Sequence, residues 1–383
     1  MDKIFIAYNY YTLGKALSLI RNNESIGDNT IIYYAKDTHP FNNKIRSACK
    51  IILIRYGNEI AKMKDGDFIL QFPKFSIIQI LANWINSNLL GRKILYVVKN
   101  TIKETPSILY VFKDNHSGEA SAIEWTKKNR KLCVNILIEE GLALYTRKSS
   151  EPQRIKYYHI KRVISFLLGT SAYPIFNLPQ GRHPAVQEIL CSNDNVLQKS
   201  ELYNDKTIRK AENFYNKEFS SYFCSLVLGS SIDKFLFRDY DYIFLTQALV
   251  ENDIIDFNKY IETLKSIIDI IAKYGKVLIK AHPRELIDYH KIFNCEKIYI
   301  CPNILNSLPF QALFPLLQNP KILTFYSAIG NDIKTFQKII YTYPLLNCEN
   351  LNKSLDNIFI NDENVRVIYN LEELEKILKS SIS

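Results

Sequence analysis

The chain has 383 residues, 47% of them apolar and 23% charged, with 49 Lys and Arg against 39 Asp and Glu for a formal net charge of +10. That composition is globular and large enough for two packed cores, which excludes intrinsic disorder and fibrous repeats. No apolar run approaches the roughly 20 residues of a membrane-spanning helix, and Met1-Asp2-Lys3 is too lightly basic for a secretory leader, so the expectation is a cytoplasmic protein.

Lys3 to Tyr8 is a continuous apolar stretch of strand length, followed by a polar turn and a helical pattern from Thr12 to Arg21. Strand-like runs follow at Thr30–Tyr34, Ile51–Ile54, Phe68–Phe72, Ile94–Val98 and Leu132–Ile138, with helical segments such as Phe75–Asn86 between several of them. They are apolar throughout instead of alternating, as in parallel strands buried on both faces. From Glu151 to about Thr207 the composition turns basic and aromatic, with Arg154–Leu168 and prolines 174, 179 and 184, and the spacing predicts an interdomain region over 151–195.

The α/β rhythm resumes with a strand at Tyr242–Thr246 and a helix from about Ile255 to Tyr274, ended by Gly275. Within it Ile261, Leu264, Ile268 and Ile271 recur at helical spacing and mark a core face. Strands at Lys276–Ala281, Lys297–Cys301 and Lys321–Phe325, a helix at Phe310–Leu317 and a closing helix at Leu371–Ser380 complete the pattern. The expected fold class is α/β: two Rossmann-like domains, 1–195 and 196–383, with a ligand in the cleft between them, outside the carboxyl ends of the strands.

Those strand ends carry the candidate chemistry. Leu132–Ile138 runs into Glu139-Glu140-Gly141, and of two adjacent carboxylates a partly desolvated one gains a raised pKa, which suits a general base near neutral pH. The alternative is a solvated loop or the opening charge of a helix. Lys276–Lys280 delivers His282, Pro283 and Arg284, a cationic group at a strand end where proline can open a helix, which suits a phosphate. Two other His-Pro pairs, His39-Pro40 and His183-Pro184, do not directly follow a buried strand. Lys321–Phe325 leads to Ser327, Ala328, Gly330 and Asn331, small residues beside which backbone amides can approach a phosphate.

Several classes lack their marks. Asp65-Gly66-Asp67 and Asp239-Tyr240-Asp241 each precede a strand, so they are read as turns at the amino edge of a sheet and not as metal sites. No GxGxxG, P-loop or GxSxG motif occurs, and nucleic acid is an unexpected partner because zinc-finger spacing, RNP motifs and long basic blocks are missing. Cys49, Cys133, Cys191, Cys224, Cys295, Cys301 and Cys348 form no CxxC pair and read as buried thiols.

The constellation resembles the bacterial sialyltransferases, specifically the lipooligosaccharide family (glycosyltransferase family 52) and more distantly the capsular polysialyltransferases. Ile138-Glu139-Glu140-Gly141 is similar to their acidic-acidic-Gly motif, Lys280-Ala281-His282-Pro283-Arg284 to their His-Pro motif, and Thr324-Phe325-Tyr326-Ser327-Ala328 to their serine motif. Order and separation agree over roughly residues 1 to 335. Here the acidic pair is Glu-Glu where several relatives have Asp-Asp, and Ala328 stands where some carry Ser or Thr.

The resemblance implies a GT-B type fold and transfer of sialic acid from CMP-sialic acid to a hydroxyl of a surface glycan (lipooligosaccharide, O-antigen or capsule), with inversion and no metal or other cofactor. Glu140 or Glu139 would be the base, with Asp253 as the rival and Glu251 beside it. His282 would meet the departing phosphate, and Gln247, Lys280, Pro283, Arg284, Ser327 and Ala328 would bind the donor. An acceptor oligosaccharide and CMP-sialic acid are the implied partners, and relatives form homodimers. Two alternatives stay open: the same fold with CMP-Kdo or a hexose nucleotide as donor, or a non-catalytic nucleotide-binding module of capsule assembly. The Arg154–Leu168 stretch is read as an ordinary amphipathic helix with its cations in water, or alternatively as a peripheral contact on the inner face of the cytoplasmic membrane.

Overall fold

A computed structural model of the protein describes residues 1–22, 28–36, 49–56, 77–140, 144–145, 158–171, 180–211, 214–228, 239–327, 339–359 and 365–380. The chain divides into two compact units, Met1–Phe214 and Tyr215–Ser383. Among the described residues the first unit contains seven parallel strands: β1 (Asp2–Ala7), β2 (Asn29–Lys36), β3 (Lys50–Tyr56), β4 (Ser107–Val111), β5 (Cys133–Ile138), β6 (Glu188–Cys191) and β7 (Thr207–Lys210). Their order is β3-β2-β1-β4-β5-β6-β7. The second unit contains β8 (Tyr242–Leu245), β9 (Val277–Lys280), β10 (Ile298–Ile300), β11 (Lys321–Thr324), β12 (Ile339–Tyr341) and β13 (Val365–Val367), in the order β10-β9-β8-β11-β12-β13.

Both orders start at a central strand, wind outward on one side and then jump to the other. The switch lies between β1 and β4 in the first sheet and between β8 and β11 in the second, so each unit is the doubly wound α/β architecture expected from the sequence. Ile4 to Ala7 of β1 are buried, as continuous apolar runs in parallel sheets should be. Phe5 pairs in register with Ile31 on one side and Tyr110 on the other, and stacks on Tyr110 with ring centroids 4.5 Å apart.

Local signals set the element ends. The first helix is Tyr10–Asn22, two residues earlier than its apolar pattern indicates, because Thr12 belongs to a reciprocal cap. Asn9 Oδ1 accepts from the Thr12 N–H at 2.8 Å while Thr12 Oγ1 accepts from the Asn9 N–H at 3.1 Å. Asp256 caps Phe257–Tyr274 by accepting from the Asn258 and Lys259 amides, and that helix buries Tyr260, Leu264, Ile267, Ile268 and Ile271. Gly275 does follow it, but with φ 172° the reason is not a left-handed cap. A Cβ there would lie 2.5 Å from Asp241 Oδ2, whose carboxylate accepts the Lys276 N–H at 2.7 Å at the amino end of β8 and β9. Asp239-Tyr240-Asp241 thus stands at the sheet edge that its position before a strand indicates.

Three expectations are corrected. Ile94–Val98 is not a strand but part of the helix Ile77–Thr101, where Leu90, Ile94, Leu95, Val98 and the following Ile102 are buried at helical spacing while Lys93 and Tyr96 are exposed. A short apolar run fits either period, and the strand is instead Ser107–Val111, which takes the central β4 position. Gly91 of that helix lets Ser117 and Gly118 approach so closely that a Cβ would lie 2.6 Å from Ser117 Oγ.

The boundary at 195/196 is also overturned. β6 lies inside the stretch read as a connection, and β7 beyond it belongs to the first sheet, so the units divide after Phe214. Thr207-Ile-Arg-Lys210 is an exposed edge strand whose charges protect it from further pairing, which is why it lacks an apolar signature. Similarly, β12, β13 and the helix Glu349–Phe359 were too short or too polar to register as elements.

The third correction concerns the basic segment. The helix Tyr158–Leu167 buries Tyr158 and Ser165 but leaves Phe166 83% and Leu167 73% exposed, with Ile160 and Val163 beside them, so apolar side chains as well as cations face outward. Among the cysteines, Cys133, Cys191, Cys224 and Cys301 are buried as expected, Cys49 and Cys348 are half-buried, and Cys295 is exposed; all are free thiols. The expected strand Phe68–Phe72, the start of the Phe75–Asn86 helix, His39-Pro40, Asp65-Gly66-Asp67, Gly141, Pro174, Pro179, Ala328, Gly330 and Asn331 lie outside the described residues.

Candidate active site

In the first unit the carboxyl ends of β1, β2, β4 and β5, with the start of the helix Ser117–Asn129, bring together Tyr8, Tyr34, Lys113, His116, Glu119, Glu139 and Glu140. The two adjacent carboxylates have different environments. Glu139 is 1% exposed, and its Oε2 accepts from the Tyr145 phenol at 2.8 Å, the Ser192 N–H at 2.6 Å and the Ser192 hydroxyl at 2.7 Å. Its carbonyl accepts from the buried Lys15 ammonium at 2.8 Å, which ties the first helix to the end of β5. Such a carboxylate is occupied in holding the loop.

Glu140 is the less occupied of the two. Its side chain is 23% exposed and lies 3.7 Å from the Lys113 ammonium, which in turn sits 4.2 Å over the Tyr8 ring. Burial pushes its carboxyl pKa up, against Lys113 and the Tyr8 phenol, which favour the ionised form; nearby Glu119 adds to the rise. A raised carboxyl pKa of this origin is what a base working near neutrality requires.

In the second unit the loop leaving β9 is organised by a residue the motif reading did not single out. Glu285 accepts the His282 N–H at 2.6 Å and the Thr246 hydroxyl on Oε2, and the Tyr289 and Tyr260 phenols at 2.8 and 3.0 Å on Oε1. Burial raises its pKa, which these four donors partly offset. It joins the ends of β8 and β9 and fixes the backbone at His282. Its place three residues after the histidine of a His-Pro pair is the signal that could have found it, since a carboxylate there can return to cap the histidine amide.

The His282 ring is set by that turn. Nδ1 accepts from the Arg284 N–H at 3.2 Å, so the neutral ring carries its proton on Nε2, which has no partner among the described residues. Burial, then Arg284, then Lys280 lower its pKa to about 4. The expectation of a cationic imidazole is therefore corrected: in this environment His282 is a neutral donor.

The remaining sequence-predicted residues are distributed as follows. The Lys280 side chain is buried, its ammonium donates to the Asn306 carbonyl at 3.2 Å, and burial lowers its pKa. Pro283 and Arg284 are exposed beside His282, and burial raises the phenol pKa of Tyr326 at the end of β11 against the opposing Arg284 guanidinium. Gln247 follows β8 with its carbonyl accepting the Leu249 N–H at 2.7 Å. Ser327 follows β11, half-buried, with its carbonyl taking the Tyr341 phenol at 2.7 Å. Asp253 is exposed in a turn with φ 55°, while Glu251 Oε1 accepts the Leu286 N–H at 2.7 Å and links the loops after β8 and β9. His183, by contrast, is 1% exposed, with Nδ1 accepting from the Ala185 N–H, as a structural histidine does.

A cavity lined by Glu104, Thr105, Asn129, Arg130 and Leu132 lies at the amino ends of β4 and β5, the edge of the sheet away from these clusters. The polar groups gathered at the strand carboxyl ends, not that cavity, make up the candidate site.

Two doubly wound parallel units with polar clusters at the carboxyl ends of their strands are the architecture of the GT-B glycosyltransferases. The crystal structure of an α/β-galactoside α-2,3-sialyltransferase from the luminous marine bacterium Photobacterium phosphoreum matches with a TM-score of 0.52 at 12% identity, over 97% of this chain and 99% of that one. TcCGT1 in complex with UDP matches with a TM-score of 0.50 at 9% identity, over 100% of this chain and 90% of that one. At these identities the likeness concerns the fold. No curated protein sequence matches the chain. Residues 3–305 match the model of the alpha-2,8-polysialyltransferase (POLYST) family, and the chain belongs to that family. It is a sialyltransferase, an enzyme of the class that uses CMP-sialic acid; of the two resemblances seen in the motifs, the match falls on the one read as more distant.

Proposed function

We propose that the protein transfers sialic acid from CMP-sialic acid to a hydroxyl of a surface glycan of lipooligosaccharide, O-antigen or capsule type, by single displacement with inversion and without a metal. The family description names an α-2,8 polysialyl product, so in this reading the accepting hydroxyl belongs to a sialic acid already on the glycan. The first unit takes the acceptor and the second the CMP-sugar.

The reading rests on one observation: at strand carboxyl ends of their own sheets stand Glu140, 3.7 Å from the Lys113 ammonium, and His282, fixed by the Glu285 carboxylate on its N–H and the Arg284 N–H on Nδ1, and burial pushes the carboxyl pKa up and the imidazole pKa down. Groups pushed apart in this way are the signature of assigned acid–base roles. Glu140 removes the proton of the attacking hydroxyl. His282 donates its Nε2–H as a hydrogen bond to the departing phosphate, since burial, Arg284 and Lys280 favour the neutral ring. A leaving group with a single phosphate concentrates little charge, and this donor, the Arg284 guanidinium and backbone amides are sufficient to meet it. Glu285 and Glu139 hold the two loops, and Lys280 supports the second from inside the unit.

Peripheral contact with the inner face of the cytoplasmic membrane belongs to the same reading, since Phe166 and Leu167 project beside Lys161 and Arg162. The test of function is transfer from CMP-sialic acid to an α-2,8-linked sialyl acceptor in the presence of EDTA, with the anomeric configuration of the product read by NMR. Activity only with CMP-Kdo or a hexose nucleotide overturns the donor assignment, and nucleotide binding with no turnover of any donor identifies a non-catalytic module.

A further inference from the structure

The proposed function leaves unused a second titratable cluster on the loop that follows β4. His116 Nδ1 lies 2.8 Å from Glu119 Oε2, and Glu119 is fully buried. The other oxygen, Oε1, accepts from the Tyr34 phenol at 2.5 Å, and the Tyr34 ring stacks on the imidazole with centroids 5.9 Å apart and planes 15° from parallel. A carboxylate sealed from water needs a countercharge beside it, and the imidazole is placed to supply one. Burial lowers the imidazole pKa, Glu119 raises it and Lys113 lowers it, with a net rise.

With Nδ1–H committed to Glu119, the second N–H of the charged ring lies on the opposite side, and the side chain keeps 29% exposure. An imidazolium is a poor base but a good donor to an anion. Lys113, three residues earlier on the same loop, is the other cation, 38% exposed and already beside Glu140.

Resting on the reading of Glu140 as the base, we propose that His116 and Lys113 bind the carboxylate of the acceptor's terminal sugar, with Glu119 as the positioning residue that holds and charges His116. The assignment says how this chain would hold the acidic sugar of that reading: a hydroxyl presented to Glu140 brings the carboxylate of the same residue to the cation that flanks Glu140. A neutral terminal sugar has nothing to offer this pair. CMP-sialic acid also carries a carboxylate, so the donor is the competing source of the same chemistry.

The test uses α-2,8-linked disialic acid and its derivative with the terminal carboxylate reduced to an alcohol, each titrated into the full chain and followed by ligand NMR. His116→Gln is expected to weaken binding of the acid roughly 10- to 100-fold and to leave the reduced sugar unchanged, so the parent's preference for the acid disappears. Glu119→Gln keeps an acceptor for Nδ1–H without the charge and is expected to lose part of the same preference; it serves as the second variant if His116→Gln fails to fold. Equal weakening of both sugars, or of neither, overturns the proposal. Weaker binding of CMP-sialic acid with disialic acid unaffected assigns the carboxylate to the donor and also overturns it. Because binding is read without turnover, a parent that binds disialic acid through His116 yet transfers nothing refutes the proposed function and not this site.

Discussion

The strand-end loops of the two units differ in chemistry although their sheets share one winding. In the first, carboxylates are paired with cations: Glu140 with Lys113 and Glu119 with His116. In the second, Glu285 makes no ion pair among the described residues and accepts from one backbone amide and three hydroxyls, while His282 has cations as neighbours and stays neutral. Burial acts on both loops, but it raises a carboxyl pKa and lowers an imidazole pKa, so one physical effect suits Glu140 to the base and His282 to the neutral donor of the proposed mechanism. The winding supplies the places, and the loop residues supply the sign.

This contrast can be broken one residue at a time. Glu140→Gln is expected to have the largest effect, a loss of about 10²- to 10⁴-fold in kcat for transfer with little change in donor binding, because general-base catalysis is removed. Parental turnover in steady-state assays would take Glu140 out of the reaction. His282→Ala should lose about 10²- to 10³-fold, the typical effect of deleting one donor to developing charge, with a much smaller change in thermal midpoint. A midpoint that collapses along with activity would mark His282 as structural.

Glu285→Gln retains shape but not charge, and it should lower turnover by roughly tenfold through a misplaced His282, with the Kd for CMP nearly unchanged; a selective loss of CMP binding would contradict that role. Stability against pH gives a sharper signature. The His282 pKa falls from its usual value near 6.5 to about 4 on folding, so between those values the unfolded chain binds a proton that the native state does not. Stability contributed by the neutral ring is present above about pH 6.5 and is lost as pH falls towards 4, and His282→Gln should flatten that limb of a denaturation series. The smallest effect is expected from Asp253→Asn, an exposed turn residue: activity within about twofold. A large loss would move the base to Asp253.

Much of the site was legible because parallel strands declare themselves as unbroken apolar runs, and chemistry sits where such a run stops. Leu132–Ile138 and Lys276–Lys280 pointed directly to Glu140 and His282. The partners did not declare themselves. Lys113 and His116 follow Ser107–Val111, a strand overlooked because Ile94–Val98 offered a stronger apolar run nearby, and with β4 unrecognised its loop could not be seen as a strand end. Tyr8 and Tyr34 read as apolar strand residues, and Glu285 lies outside the His-Pro motif as it was read.

The sequence by itself determined the two α/β sheets, the acidic pair, the His-Pro turn and the sialyltransferase resemblance, since periodicity and short-range motifs depend only on neighbours along the chain. Tertiary structure decided which of Glu139 and Glu140 retains a reactive carboxyl and that His282 is uncharged. Those outcomes depend on desolvation and on groups many positions away, such as Lys15, Ser192 and Lys113, whose proximity exists only once the strands have paired.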